Sequence, residues 1–156
     1  MLFEKWRRQK QPAVNAAMPV RDEDELLLAN EAFYAAFARG DAATMEELWA
    51  QDHSVACLHP GWPPLKSRDQ IVQSWRGILA NPPRPAIVVI EPRAFLLDGA
   101  GVVVCWEAIG EIHLVATNMF VREGGLWRIA LHQSGQTEHA PKLDTAPSAP
   151  SSTRLH

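Results

Sequence analysis

Between Asp22 and Gly40, apolar residues recur at intervals of three and four: Leu26, Ala29, Phe33, Ala36 and Phe37 form a single stripe. That period belongs to an amphipathic helix. Asp22 stands three residues before Glu25, the interval of a capping box, and Gly40 supplies the left-handed residue that commonly ends a helix. Asp41 is placed to cap a second, shorter helix carrying Met45, Leu48 and Trp49. The run from His53 to Leu58 reads as a short strand, and His59-Pro-Gly-Trp62-Pro-Pro64 as a loop, because prolines and a glycine interrupt regular structure. Ser67-Arg-Asp-Gln70 repeats the capping interval ahead of a third helix with Ile71, Trp75, Ile78 and Leu79 on its apolar face, and Pro82-Pro83 stop it.

Beyond Ala86 the pattern changes to strands: Ile87 to Ile90 with Ala94 to Leu97, then Val102 to Ile109, Leu114 to Val121 and Leu126 to Ser134. Asp98-Gly-Ala-Gly101 and Glu123-Gly-Gly125 have hairpin-turn composition, so neighbouring strands pair antiparallel. Helices followed by a meander predict an α+β fold. If Glu123 to Gly125 form a three-residue loop, Asn118 and His132 share a face of the sheet; a two-residue turn at Gly110-Glu111 brings Glu107 to that face as well. Glu107, Asn118 and His132 in one apolar concavity would suit proton transfer, because imidazole titrates near neutrality and burial raises a carboxyl pKa. More often, such groups satisfy one another or the backbone as part of the structure, with Asn118 bonding locally.

The order of Ala38-Arg-Gly40-Asp41, Leu48-Trp49, Ser74-Trp75, Thr117-Asn-Met-Phe120 and Trp127-Arg-Ile-Ala-Leu-His132 resembles the nuclear transport factor 2-like superfamily, which includes ketosteroid isomerases and SnoaL-like proteins. The resemblance implies a cone, with three N-terminal helices closing a strongly curved, mostly antiparallel sheet over residues 21–138. It also implies a homodimer through the outer face of the sheet. Aligned on Gly40-Asp41, the isomerase's oxyanion tyrosine falls at Phe33, and Tyr34 is turned about 100° away around the helix. The isomerase's base falls at Cys57, with His59-Pro60 as the nearest polar-proline pair, so steroid isomerisation by the known mechanism is disfavoured. The pocket so outlined takes in Phe33, Tyr34, His59, Trp62, Trp75 and Asn118, with His132 and Glu107 as candidate catalytic groups. His59 and Trp62 are expected at its rim, or Trp62 packs on the third helix within a rigid turn. The expected ligand is a small, largely apolar molecule; the alternatives are an acid–base enzyme of the isomerase, dehydratase or cyclase type, and a non-catalytic dimeric scaffold whose pocket is filled by its own side chains.

Composition narrows the field. A net charge of −3 gives no field favouring phosphate backbones, so nucleic acid is not an expected partner. No stretch approaches the roughly 20 apolar residues of a membrane span. Residues 1–20, with the basic run Lys5 to Lys10, read as a flexible N-terminal arm, and residues 139–156, rich in Pro, Ser, Thr and Ala, as a disordered tail. Cys57 and Cys105 lie in apolar runs, as buried free thiols do, and the absence of an export signal points to the cytoplasm. The histidines show neither helical H-x-x-x-H spacing nor a paired cysteine motif, and no nucleotide-binding glycine motif occurs, so no metal or cofactor is expected.

Overall fold

A computed structural model describes residues 21–142; the N-terminal arm and most of the C-terminal tail lie outside the described residues. Three helices precede most of the sheet: α1 (Asp22–Arg39), α2 (Ala42–Leu48) and α3 (Arg68–Ala80). Asp22 does not cap α1. Arg21 occupies the cap position without a side-chain bond, and Asp22 to Glu25 fill the first turn, where four carboxylates face the positive end of the helix dipole. Gly40 closes α1 at φ 66°, as its lack of a Cβ permits, with the Arg84 guanidinium lying over it. Asp41 caps α2 through Thr44 N at 3.0 Å, and Ser67 caps α3 through Gln70 N at 3.3 Å. The second half of that capping box is diverted, since Gln70 Oε1 accepts from Lys66 N instead.

Five strands form one sheet in the order β1-β5-β4-β3-β2: β1 (Ala56–Leu58), β2 (Val88–Leu97), β3 (Ala100–Ile109), β4 (Ile112–Glu123) and β5 (Leu126–Gln136). β1 is shorter than its apolar run and pairs parallel with β5; every other pairing is antiparallel. The two runs before Leu97 are one strand, bulged between Ile90 and Arg93, where Glu91 takes φ 50°. An edge strand tolerates Pro92 at such a bulge because that residue donates no ladder bond.

All three hairpins turn in two residues, with Leu97 facing Ala100, Ile109 facing Ile112 and Glu123 facing Leu126. The three-residue loop expected at Glu123 to Gly125 is therefore not formed; Gly124 and Gly125 both have positive φ and make the tight turn. Taken alone, that turn would place His132 on the opposite face from Asn118. A bulge between Met119 and Phe120 gives β5 one extra residue, Ala130, and restores the pairing Asn118 with His132. The sheet is curved, with the helices on its concave side. Leu26, Phe33 and Phe37 from α1, Ile71 and Trp75 from α3, and Val103 and Phe120 from the sheet are all buried in the core between them.

Candidate functional site

On the concave face the register sets Glu107, Asn118, His132 and Ser134 side by side, all buried. Tyr34 and Asn30 reach them from α1. Tyr34 Oη donates to Glu107 Oε1 at 2.6 Å, and Ser134 Oγ donates to Glu107 Oε2. Asn118 Nδ2 donates to Asn30 Oδ1 at 2.8 Å and to Tyr34 Oη at 3.2 Å. With its amide nitrogen engaged as donor, Asn118 Oδ1 is left to accept from His132 Nδ1 at 2.6 Å. The proton of His132 therefore sits on Nδ1, while Nε2 carries a lone pair and has no hydrogen-bond partner among the described residues.

His59 is fixed by similar logic. Ser74 Oγ gives its proton to Ile71 O at 2.7 Å, so it accepts from His59 Nε2 at 2.9 Å. Both imidazoles are neutral: burial brings His59 down to about 4 and His132 down to about 3, with neighbouring His59 adding to the second shift. They belong to an aromatic cluster in which Phe33 lies 5.0 Å from His132, Trp75 lies 4.6 Å from His59, and the two histidine rings are 6.4 Å apart. The Trp75 indole N–H is buried without a hydrogen-bond partner among the described residues. Burial raises the Tyr34 hydroxyl far above its usual range, with Glu107 reinforcing it, so Tyr34 acts as a neutral donor.

The expected tyrosine displacement is real in sequence but not in effect. Leu26, Asn30, Phe33, Tyr34 and Phe37 are all buried because α1 lies in the concavity, and an arc that wide holds two adjacent residues. Asn30 and Ser134 were not among the expected site residues. Asn30 could have been found as a polar position four residues from Leu26 on the apolar stripe, and Ser134 as the next same-face residue after His132.

The expected pocket residues are divided rather than gathered. His59 and Trp62 border a cavity of about 590 Å³ at the mouth of the cone, completed by Leu58, Ile109, Ile112, Leu114, Gln133, Ser134 and Gln136. Trp62 is 49% exposed and meets His59 edge-on at 5.0 Å at the border of this cavity. Tyr34 borders a second cavity, of about 470 Å³, between α1 and β2. Phe33, Trp75 and Asn118 fill the interior between the two, where aromatic side chains occupy space that a single open chamber would need. Cys57 and Cys105 are buried free thiols that burial raises to about 12 and about 11, too high for thiolate chemistry near neutrality. Among the described residues, no group of three His, Cys, Asp or Glu side chains is arranged to hold a metal. No helix described is long and apolar enough to cross a membrane.

Helices seated in a curved sheet over a buried polar chain define a cone-type α+β fold of the nuclear transport factor 2-like kind. The chain belongs to the SnoaL-like domain family, whose model matches residues 27–137. It is similar to a proposed dehydratase of the NTF2-like family from Streptomyces avermitilis, with 30% identity, a TM-score of 0.68, and coverage of 74% of this chain and 96% of that one. A proposed calcium/calmodulin-dependent protein kinase type II association domain from Thiobacillus denitrificans is also 30% identical, with a TM-score of 0.61 over 70% of this chain and 93% of that one. A proposed ketosteroid isomerase from Parabacteroides distasonis shares the fold at 15% identity, with a TM-score of 0.61 over 80% of this chain and 94% of that one. Among curated proteins, none matches.

Proposed function

We propose that the protein binds a small, neutral, largely apolar molecule in the mouth cavity. The observation that carries this reading is the lining. A cavity of about 590 Å³ falls within the roughly 300–1,000 Å³ of small-molecule sites, and no Asp, Glu, Lys or Arg among the described residues borders it. An ion placed there would lose its hydration without gaining a counter-ion, whereas Leu58, Ile109 and Trp62 offer apolar contact and Gln133 and Gln136 offer orienting hydrogen bonds. Titration with Nile red, a neutral apolar dye, tests it. Saturable one-to-one fluorescence enhancement is expected, weakened at least fivefold in Trp62→Ala with the melting temperature unchanged. Absence of saturation, or equal affinity in the variant, would reject the mouth as the site.

A second reading, acid–base catalysis of the isomerase, dehydratase or cyclase type, is favoured by one observation: the lone pair on His132 Nε2 beside a proton held on Nδ1 by Asn118. His132 is then the proton acceptor, and because burial holds its imidazole down to about 3, it can act only with the developing substrate oxyanion offsetting the charge it gains. Glu107, whose two oxygens are taken by Tyr34 and Ser134, acts by holding the Tyr34 hydroxyl in place rather than by accepting a substrate proton. Cyclohexanone in heavy water provides the probe. Uptake of deuterium at its α-carbon that is lost in His132→Asn supports the reading, and uptake unaltered by that substitution removes it.

The protein is further proposed to act as a cytoplasmic homodimer. Phe95, Val104 and Val115 are exposed on the outer face of the sheet around Trp106, an apolar area of the kind that monomers seldom leave uncovered. The two buried free thiols suit a reducing compartment. Light scattering at micromolar concentration is expected to give twice the chain mass, and a monomer mass in the paired variant Val104→Glu, Val115→Glu.

A further inference from the structure

The cavity between α1 and β2 is separate from the mouth, and its chemistry differs. Leu27, Leu28, Val89 and Pro92 supply apolar walls, and Asn30 and Tyr34 lie on its inner side. The Tyr34 hydroxyl is fully engaged, donating to Glu107 and accepting from Asn118. Asn30 is not: its Oδ1 accepts from Asn118, while its Nδ2 has no partner among the described residues and, in a residue that is otherwise buried, is not fully enclosed. That N–H₂ keeps a little accessible surface and its residue lines the cavity, so a ligand carbonyl or hydroxyl oxygen entering there has a free donor to accept from. The charged residues lining it, among the described residues, are Asp24, which is paired with Arg21, and Glu31, which has no ion-pair partner among them. The unpaired charge of Glu31 disfavours a carboxylate of the same length.

We propose that this cavity is a second ligand site, selective for a neutral aliphatic ketone or alcohol over the corresponding carboxylate. Its oxygen accepts from Asn30 Nδ2, and its alkyl chain lies on Leu27, Leu28, Val89 and Pro92. The volume of about 470 Å³ is ample for a medium-length chain. Because Asn30 also bonds Asn118, occupancy here bears on the chain of groups that fixes the His132 tautomer.

The test is an NMR titration of the full, isotope-labelled chain with 2-octanone and, separately, with octanoate. For 2-octanone we expect saturable shifts of the Asn30 side-chain amide and of Leu27 and Val89, with Trp62 and Gln133 unmoved; octanoate should bind at least fivefold more weakly. Glu31→Lys, on the exposed face of α1, should narrow or reverse that preference without changing the melting temperature. Val89→Phe, which fills the cavity, should abolish the shifts in a chain whose circular dichroism shows it folded. The proposal is overturned if neither compound saturates, if octanoate binds the natural chain as well as 2-octanone does, or if the shifts fall at Trp62 and Gln133. That last outcome would leave the mouth reading standing and remove only this one.

Discussion

Acid is expected to destabilise the fold through two side chains before most carboxylates protonate. His59 and His132 titrate near 4 and 3 in the folded chain, against 6.5 for an unhindered imidazole, so the unfolded chain binds more protons throughout the interval between. Where the unfolded state holds more protons, stability rises with pH. The contribution is therefore complete above about pH 6.5 and is lost progressively as pH falls toward the folded values. Integrating from pH 7 to pH 5 gives roughly 2 kcal/mol for each histidine and about 4 kcal/mol for the pair, a large share of a typical domain stability of ~5–15 kcal/mol. His132→Asn separates the two contributions. The Asn side chain can still donate to Asn118 Oδ1 from a position close to imidazole Nδ1, so stability at pH 7 should change by no more than about 1 kcal/mol. Urea unfolding at half-unit intervals between pH 7 and 5 measures the slope in both chains. The natural chain should lose about twice as much as the variant. An equal loss in the two, or a flat profile in the natural chain, would mean that His132 is not held as a buried neutral imidazole with its proton on Nδ1.

Asn118→Leu should be far more damaging than His132→Asn, because it strands the His132 N–H, Asn30 Oδ1 and the acceptor side of Tyr34 together; about 3 kcal/mol or more is expected in thermal or urea unfolding at pH 7. Gly101→Ala should cost about 1–3 kcal/mol, since its methyl would lie 2.6 Å from Cδ2 of the fully buried Leu26. Gly77→Ala, inside α3 with nothing within 4 Å of the new carbon, should instead stabilise by roughly 0.5–1 kcal/mol, and a lower melting temperature would contradict it.

The helices and the hairpins were legible because each carries a local signal. A stripe of period near 3.6, a glycine in the left-handed region and a side chain capping a helix all depend on residues within one or two turns. Cap geometry was less legible: Asp22 has the right residue type and spacing, yet Arg21 already adopts the extended backbone of a cap, so the helix starts one residue sooner than the motif indicates. The division of the expected pocket was not legible at all. Whether Phe33 and Trp75 line an opening or fill it depends on how deeply α1 and α3 settle into the sheet, which is a property of the whole packed core.

The alignment of Asn118 with His132 shows how a correct placement can rest on two compensating irregularities. A three-residue loop at Glu123 to Gly125 would have put both residues on one face without further help; the actual two-residue turn would have put them on opposite faces. Ala130, the extra residue of the bulge, shifts the remainder of β5 by one position and returns His132 and Ser134 to the concave side. Nothing in the residues Met119, Phe120 or Ala130 announces a bulge, because apolar positions on both faces of β4 and β5 make either register acceptable to the core. The polar residues are what distinguish the two registers. Without the shift, His132 would leave Asn118 Oδ1 and Ser134 would leave Glu107 Oε2, two buried acceptors losing their donors at once. At roughly 1–3 kcal/mol for each stranded group, that loss exceeds what one disrupted ladder position costs. The bulge and the buried polar chain therefore stabilise one another, and the candidate site is part of what fixes the register of the sheet that carries it.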